Sequence, residues 1–234
     1  MGRYFRNEFG KLREEIEQPD YFREKLLYNY LYKGPVLEWY MRIKTRLEKN
    51  YLTFHELVPR KATVLDIGCG YGFMSYMLAF TSEERTITGI DYDEDKIQTA
   101  QHCFSKTNNI NFVYANVMEF EFEKYDCIIM ADILHYLQPD EQRRVIEKCI
   151  SKLNEGGVVI IREGDKEMSK GHRRTRLSEF FSTKVLNFNK TKTGGLSFLS
   201  GSMIKTIATE KNMDCREMAD SKVTSNTIFI LKHK

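Results

Sequence analysis

A chain of 234 residues, 41% of them hydrophobic and 29% charged, can bury one sizeable core beneath a polar surface. Its formal net charge of +3 is too small to mark a nucleic-acid binder. The longest apolar runs, such as Val158–Ile161, are strand-sized and too short for a membrane span, and the charged start "MGRYFRNEFGKLREE" argues against an ordinary secretory signal peptide.

Residues 1–50 read as helix, rich in Glu, Lys, Arg and Leu, with breaks at Pro19 and at "KGP" (33–35). Phe5, Phe9, Leu12 and Ile16 recur at helical spacing and predict one apolar face. Aromatic residues crowd the stretch from Tyr21 to Tyr40. Beyond it, β-branched apolar runs at 63–67, 86–90, 110–114, 125–131 and 157–162 predict strands, separated by helical patterns at 73–80, 93–106 and 139–153. Pro139 with Asp140 and Glu141 starts the last of these helices, and "NEGG" (154–157) is expected to end it. Such alternation implies parallel strands with right-handed crossovers and helices on both faces of the sheet. A helix near 201–211 and two closing strands, "DCREMA" and "TSNTIFILKHK", are expected to finish the domain as an antiparallel pair. The organisation expected is a helical extension over 1–50 and one α/β domain over 51–234, with residues 164–200 as a substrate-side insertion. Five dispersed cysteines without a C-x-x-C pair fit a reducing compartment, hence the cytoplasm, and neither a disulfide framework nor a metal site.

The stretch "VLDIGCGYG" (64–72) carries chemistry. Gly68, Gly70 and Gly72 follow the first predicted strand, where they permit a tight turn and close approach of a ligand. Asp66 beside them would repel a pyrophosphate and attract a cation, so the expected ligand is positive near this loop. Asp91 ends the second strand in "TITGIDYD", a place from which a carboxylate can hold both hydroxyls of a ribose. Asn116 in "FVYANVMEF" stands after the third strand, where its amide can face an adenine edge. Asp132 and His135 follow the fourth in "YDCIIMADILHYLQPDE".

In this order and spacing, "VLDIGCGYG", "GIDYD", "ANV" and "YDCIIMADILHYL" resemble the motifs of the class I S-adenosylmethionine-dependent methyltransferases over residues 60–163. The resemblance implies a three-layer α/β sandwich with a seven-stranded, mostly parallel sheet, its last strand reversed, and S-adenosylmethionine across the carboxyl edge. Carried onto this chain, Asp66, Gly68 and Gly70 would hold the methionine part, with Cys69 in the same cofactor loop; Asp132 would contact the methionine part or cap a turn. Asp91 with Tyr92 would hold the ribose, and Asn116 with Val117 the adenine. The family often has aspartate where Asn116 stands; an amide oxygen can accept from the adenine amino group as well.

His135, just past the fourth strand, is the candidate general base, with Tyr136 beside it. An equally available alternative is a structural histidine bonded to a backbone carbonyl. The run "KGHRRTR" (170–176) suits an anionic group of a substrate or a solvated loop. Tyr28, Tyr30, Tyr32, Trp39 and Tyr40 can roof a site, pack the extension, or do both. The expected partner is a small-molecule acceptor, aromatic or lipid- or polyketide-like, with no nucleic acid and at most peripheral membrane contact. "YLYKGPVLEWYMRIK" is also similar to methyltransferases of bacterial acyl-lipid and aryl-polyene pathways. Two other readings stay open: an S-adenosylmethionine-binding module without turnover, and a nicotinamide-dependent oxidoreductase, which Asp66 and the missing G-x-x-G step disfavour.

Overall fold

The structure, a computed structural model, describes residues 19–47, 51–164, 197, 200–219 and 226–234. The Phe5–Ile16 stripe, the basic run at 170–176 and most of the stretch 193–202 lie outside them. In chain order the described elements are α1 (Pro19–Tyr28), a 3-10 turn (Leu31–Lys33), α2 (Pro35–Leu47), α3 (Tyr51–Leu57), β1 (Ala62–Ile67), α4 (Phe73–Thr81), β2 (Arg85–Asp91), α5 (Glu94–Gln101), β3 (Ile110–Tyr114) and β4 (Tyr125–Ala131). A second 3-10 turn (Leu134–Tyr136), α6 (Pro139–Ser151), β5 (Leu153–Gly164), α7 (Gly201–Glu210), β6 (Met213–Ala219) and β7 (Asn226–His233) follow.

Seven strands form one sheet in the order β3-β2-β1-β4-β5-β7-β6. β7 runs antiparallel to both neighbours, and the pairs among β1 to β5 are parallel. The chain starts at β1, walks out to β3, then returns to β4 on the other side of β1. The carboxyl ends of β1 and β4 therefore diverge into opposite loops, the switch point at which doubly wound sheets leave a crevice.

Strand alternation sends successive side chains to opposite faces, and both faces here are covered. Val64, Ile87, Ile129 and Ile160 join α1 to α5 in one buried cluster. Leu65, Ile90, Ile128, Val159 and Ile161 join α6 and α7 in the other. The result is the expected three-layer sandwich with the last strand reversed.

The helices stop and start for local reasons. Asp93 caps α5 by accepting from the Lys96 N–H, while α6 opens on Pro139 with a reciprocal Gln138–Glu141 capping box. Two boundaries differ from the sequence reading. α5 ends at Gln101 instead of 106, and Asn29 Oδ1 accepts from the Ser105 N–H in the turns that follow. α6 ends at Ser151, and the "NEGG" stretch lies inside β5, which begins at Leu153 opposite Tyr125. Gly156 at φ +74° lies where the β4–β5 register shifts between Tyr125 and Cys127.

Arg85, fully buried at the start of β2, fastens the end of α3 to α4 and the sheet. Its guanidinium donates to the carbonyls of His55, Val58, Pro59 and Leu78 and to Thr81 Oγ1. These acceptors lie at the carboxyl ends of α3 and α4, where helices leave carbonyls without internal partners.

Candidate cofactor crevice and acceptor edge

The loop after β1 is held by β2. The N–H groups of Gly68 and Cys69 both donate to the Ile90 carbonyl, at 2.8 and 3.0 Å. The Gly70 N–H donates to Asp91 Oδ2 at 2.8 Å, and the Asp93 N–H donates to Asp91 Oδ1 at 2.9 Å. Asp91 thus organises two loops while a carboxylate's remaining lone pairs stay available. Burial pushes its carboxyl above the usual range, against the bonds from Asp93 and Gly70 and the charge of Lys96.

The three loop glycines, all with positive φ, have different reasons to be glycine. A Cβ on Gly68 would lie 2.0 Å from Ile133 Cγ2, and one on Gly72 would lie 2.6 Å from the Phe112 ring. Those two admit neighbouring side chains of the protein itself. At Gly70 the nearest atoms to an added Cβ are Lys96 Cδ at 3.9 Å and Asp91 Oδ2 at 4.0 Å. The sequence reading gave the three a tight turn and close approach of a ligand; the open space is at Gly70.

Asp66 is 2% exposed and accepts from Ser75 Oγ at 2.6 Å, tying the end of β1 to the first turn of α4. Burial raises its carboxyl to about 6; the Ser75 hydroxyl opposes the rise and the Asp91 charge adds to it. Cys69 is buried against the same carboxylates, and burial drives its thiol well up, so it is no nucleophile at neutral pH. Tyr92 is exposed beside Asp91. Asn116 is engaged locally: its Oδ1 accepts from the Met118 N–H and its Nδ2 donates to Glu119 Oε1. The Val117 carbonyl, next along, receives Lys148 Nζ.

The other half of the edge is a clamp between the β4 loop and the end of β5. Arg162 and Glu163, adjacent on β5 and each 2% exposed, grip residues 132–135 with both side chains. Arg162 donates to Asp132 Oδ2, and the Arg162 carbonyl accepts from the Asp132 N–H at 2.9 Å. Glu163 Oε1 accepts from the Leu134 N–H at 2.6 Å, and its Oε2 lies 2.9 Å from His135 Nδ1. Asp132 sits at φ +57°, a conformation that is uncommon outside glycine and is concentrated at functional sites. Burial disfavours charge on His135, yet the Glu163 bond and the charges of Glu163 and Asp132 outweigh it, so the imidazole titrates above its usual value.

His135 is therefore carboxylate-bonded, and the Tyr136 ring lies against it with centroids 4.1 Å apart. The His135 carbonyl accepts from Ser197, whose own carbonyl receives Gln142 Nε2. Ser197 is the one described residue between 165 and 199. The sequence reading missed Arg162 and Glu163. Their signal was available: two charged residues directly continuing "VVII" inside a strand buried on both faces.

The aromatic residues before β1 divide. Tyr30 is buried and donates to the Tyr71 carbonyl in the glycine loop at 2.7 Å, and Tyr40 leans on Phe73. Tyr28, Tyr32 and Trp39 are exposed. Among the described residues, no group of three or more His, Cys, Asp or Glu is arranged to hold a metal, and no helix is long and apolar enough to cross a membrane.

Comparison with known proteins bears on this crevice. Residues 64–157 match the family model described as a methyltransferase domain. The chain is 25% identical over 120 residues to carboxy-S-adenosyl-L-methionine synthase of Campylobacter concisus, covering 49% of this chain and 51% of that protein. It is also 25% identical over 182 residues to the ubiquinone biosynthesis O-methyltransferase of Rickettsia typhi, covering 76% and 70%. The chain spans about half the length of the first of these relatives. In fold it is similar to magnesium protoporphyrin IX methyltransferase of Synechocystis, crystallised with bound S-adenosylhomocysteine. The TM-score is 0.59 at 16% identity, over 97% of this chain and 100% of that one.

Proposed function

We propose that this chain, a class I S-adenosylmethionine-dependent methyltransferase by family, moves the cofactor's methyl group onto a proton-bearing atom of a small-molecule acceptor, with His135 receiving the proton. The observation that carries this reading is the His135–Glu163 pair at the carboxyl edge, across the switch point from an open glycine cradle.

The residues present fit the cofactor. Gly70 leaves room for backbone approach, Asp66 with Gly68 and Cys69 suits a cationic methionine end, and Asp91 with Tyr92 suits a ribose. Asn116 and Val117 border the place for the adenine, and in this reading Asn116 contributes as a built turn whose amide is already committed. When bound, S-adenosylmethionine supplies an electrophilic methyl group on a sulfonium whose departure leaves a neutral thioether.

The protein's own work is alignment and proton removal. Aligning two reactants is worth up to about 7–11 kcal/mol, and a positioned base adds roughly 10²–10⁴-fold when the acceptor has a proton to lose. Glu163 holds Nδ1 and fixes the orientation of the ring. Glu163 is a positioning residue, and Asp132, held by Arg162, sets the turn that carries His135. Tyr136 beside His135 and the Tyr71–Phe73 stack beside the glycine loop favour an aromatic or lipid-like acceptor. The helices before β1 are assigned to covering it, as is the stretch 164–200, most of which lies outside the described residues. Free thiols at all five cysteines go with a reducing compartment.

Incubation with isotope-labelled S-adenosylmethionine and extract, followed by mass spectrometry, tests the reading. The expected result is a small molecule heavier by one methyl group and an equal amount of S-adenosylhomocysteine. Calorimetric binding of the cofactor with no such product would favour the binding module without turnover, and binding of NADH in its place would overturn the cofactor assignment.

A further inference from the structure

Among the described residues, the large hydrophobic side chains left in solvent are gathered together. Six of the eight, Tyr28, Leu31, Tyr32, Val36, Trp39 and Phe104, lie between the end of α1 and α2 or in the turn after α5. The two regions meet: the Tyr28 and Phe104 rings stand edge-on with centroids 5.6 Å apart, and Tyr32 Oη donates to the Thr99 carbonyl in α5 at 2.9 Å. Val36 and Trp39, three residues apart, share one face of α2, while Met41 and Thr45 are buried on another. Phe104 is 81% exposed, Val36 66% and Trp39 62%. Single exposed apolar residues are ordinary on a soluble protein, but a gathered aromatic patch signals a contact.

Charge identifies the occupant. Residues 19–47 carry Arg23, Lys25, Lys33, Arg42, Lys44 and Arg46 against Asp20, Glu24 and Glu38, a net of +3. The whole chain, with 36 basic and 33 acidic residues, also nets +3, so this segment is richer in positive charge than the chain as a whole. A second copy docked face to face would set like charge against like charge. Tryptophan and tyrosine prefer the headgroup level of a bilayer, and basic residues beside them are drawn to anionic lipid.

We propose that this face seats on an anionic lipid bilayer, with Trp39, Val36 and Phe104 entering the headgroup layer and basic residues of the segment, such as Lys33 beside the Tyr32 ring, meeting lipid phosphates. The seat is close to the crevice, since Tyr30, between Tyr28 and Tyr32, donates to the carbonyl of Tyr71 in the glycine loop. An acceptor dissolved in the bilayer would then reach the crevice without crossing bulk water.

Trp39 is the chain's one tryptophan, so its fluorescence reports this patch alone. The full chain is mixed with phosphatidylcholine vesicles with and without phosphatidylglycerol. Co-sedimentation and a blue shift of Trp39 emission are expected with the anionic vesicles only. Both should fade at 1 M salt, where the Debye length falls to about 3 Å. The double variant Val36→Ser/Phe104→Ser should partition about tenfold or more weakly, from the lost apolar burial. Its melting temperature and cofactor affinity should match the parent, which separates this outcome from any failure of the enzymatic reading. The proposal is overturned by no sedimentation, by sedimentation with unchanged Trp39 emission, or by partitioning that the double variant leaves intact. A blue shift that grows with protein concentration without lipid, or that polyglutamate produces and vesicles do not, overturns it as well.

Discussion

The two halves of the sheet's carboxyl edge are built on different principles. Around β1 and β2, carboxylates are held by backbone N–H groups and a hydroxyl: Asp91 by Gly70 and Asp93, Asp66 by Ser75. Around β4 and β5, carboxylates are held by cations: Asp132 by Arg162, and Glu163 by His135 as well as by the Leu134 N–H. The first half keeps negative charge and suits a cationic ligand. The second pairs its carboxylates with Arg162 and His135 and suits proton transfer, because the imidazole is held against the Glu163 carboxylate. Binding and chemistry are thus divided across the switch point.

Substitutions on either side should separate the two functions. The largest effect expected is on transfer: His135→Ala should slow it by about 10²–10⁴-fold while leaving calorimetric cofactor affinity nearly unchanged. Glu163→Gln should cost less at the plateau and move the acid limb of the pH–rate profile to lower pH. The sign follows from His135, whose value Glu163 raises against burial; a purely structural Glu163 would leave that limb in place. Next, Asp91→Asn should weaken cofactor binding by about a hundredfold, since bonds to a charged acceptor are worth about 1.5–3 kcal/mol each. Its two backbone bonds make some thermal destabilisation part of the same result.

The glycines sharpen the contrast within the binding half. Gly68→Ala should lower stability by about 2–4 kcal/mol through collision with Ile133, whereas Gly70→Ala should cost about 1 kcal/mol of backbone strain and chiefly impair cofactor affinity. Equal melting temperatures for the two would contradict the division of roles. A last test is Asp66→Asn, read in urea melts across pH. The folded carboxyl titrates near 6 and the unfolded one near 3.8, so the folded state binds the proton more tightly. The stability contribution of Asp66 is therefore lost as pH rises from about 4 to 6. The asparagine variant should match the parent at pH 4 and exceed it by up to about 3 kcal/mol at pH 7, at about 1.36 kcal/mol per unit. Its cofactor affinity should fall all the same.

Legibility in the sequence followed contact range. Strand and helix order was readable because it rests on periodicity and on neighbours within a few residues, and the reversed final strand was implied by the resemblance. The β5 start was misjudged because Leu153 enters the sheet only through its pairing with Tyr125 on another strand. Asn116 looked free to meet a base, yet its amide closes its own turn with Met118 and Glu119, a bond geometry that identity alone does not reveal.

The sequence by itself determined a doubly wound sheet with a glycine loop and an acidic residue at the end of each of its first two strands, because tight turns and alternating strands are local consequences of residue type. Only the tertiary structure decided which glycine faces open space, and that His135 answers to Glu163 and Asp132 to Arg162. Those pairs lie 28 and 30 positions apart, and nothing short of folding two neighbouring strands into register brings their partners within reach of each other.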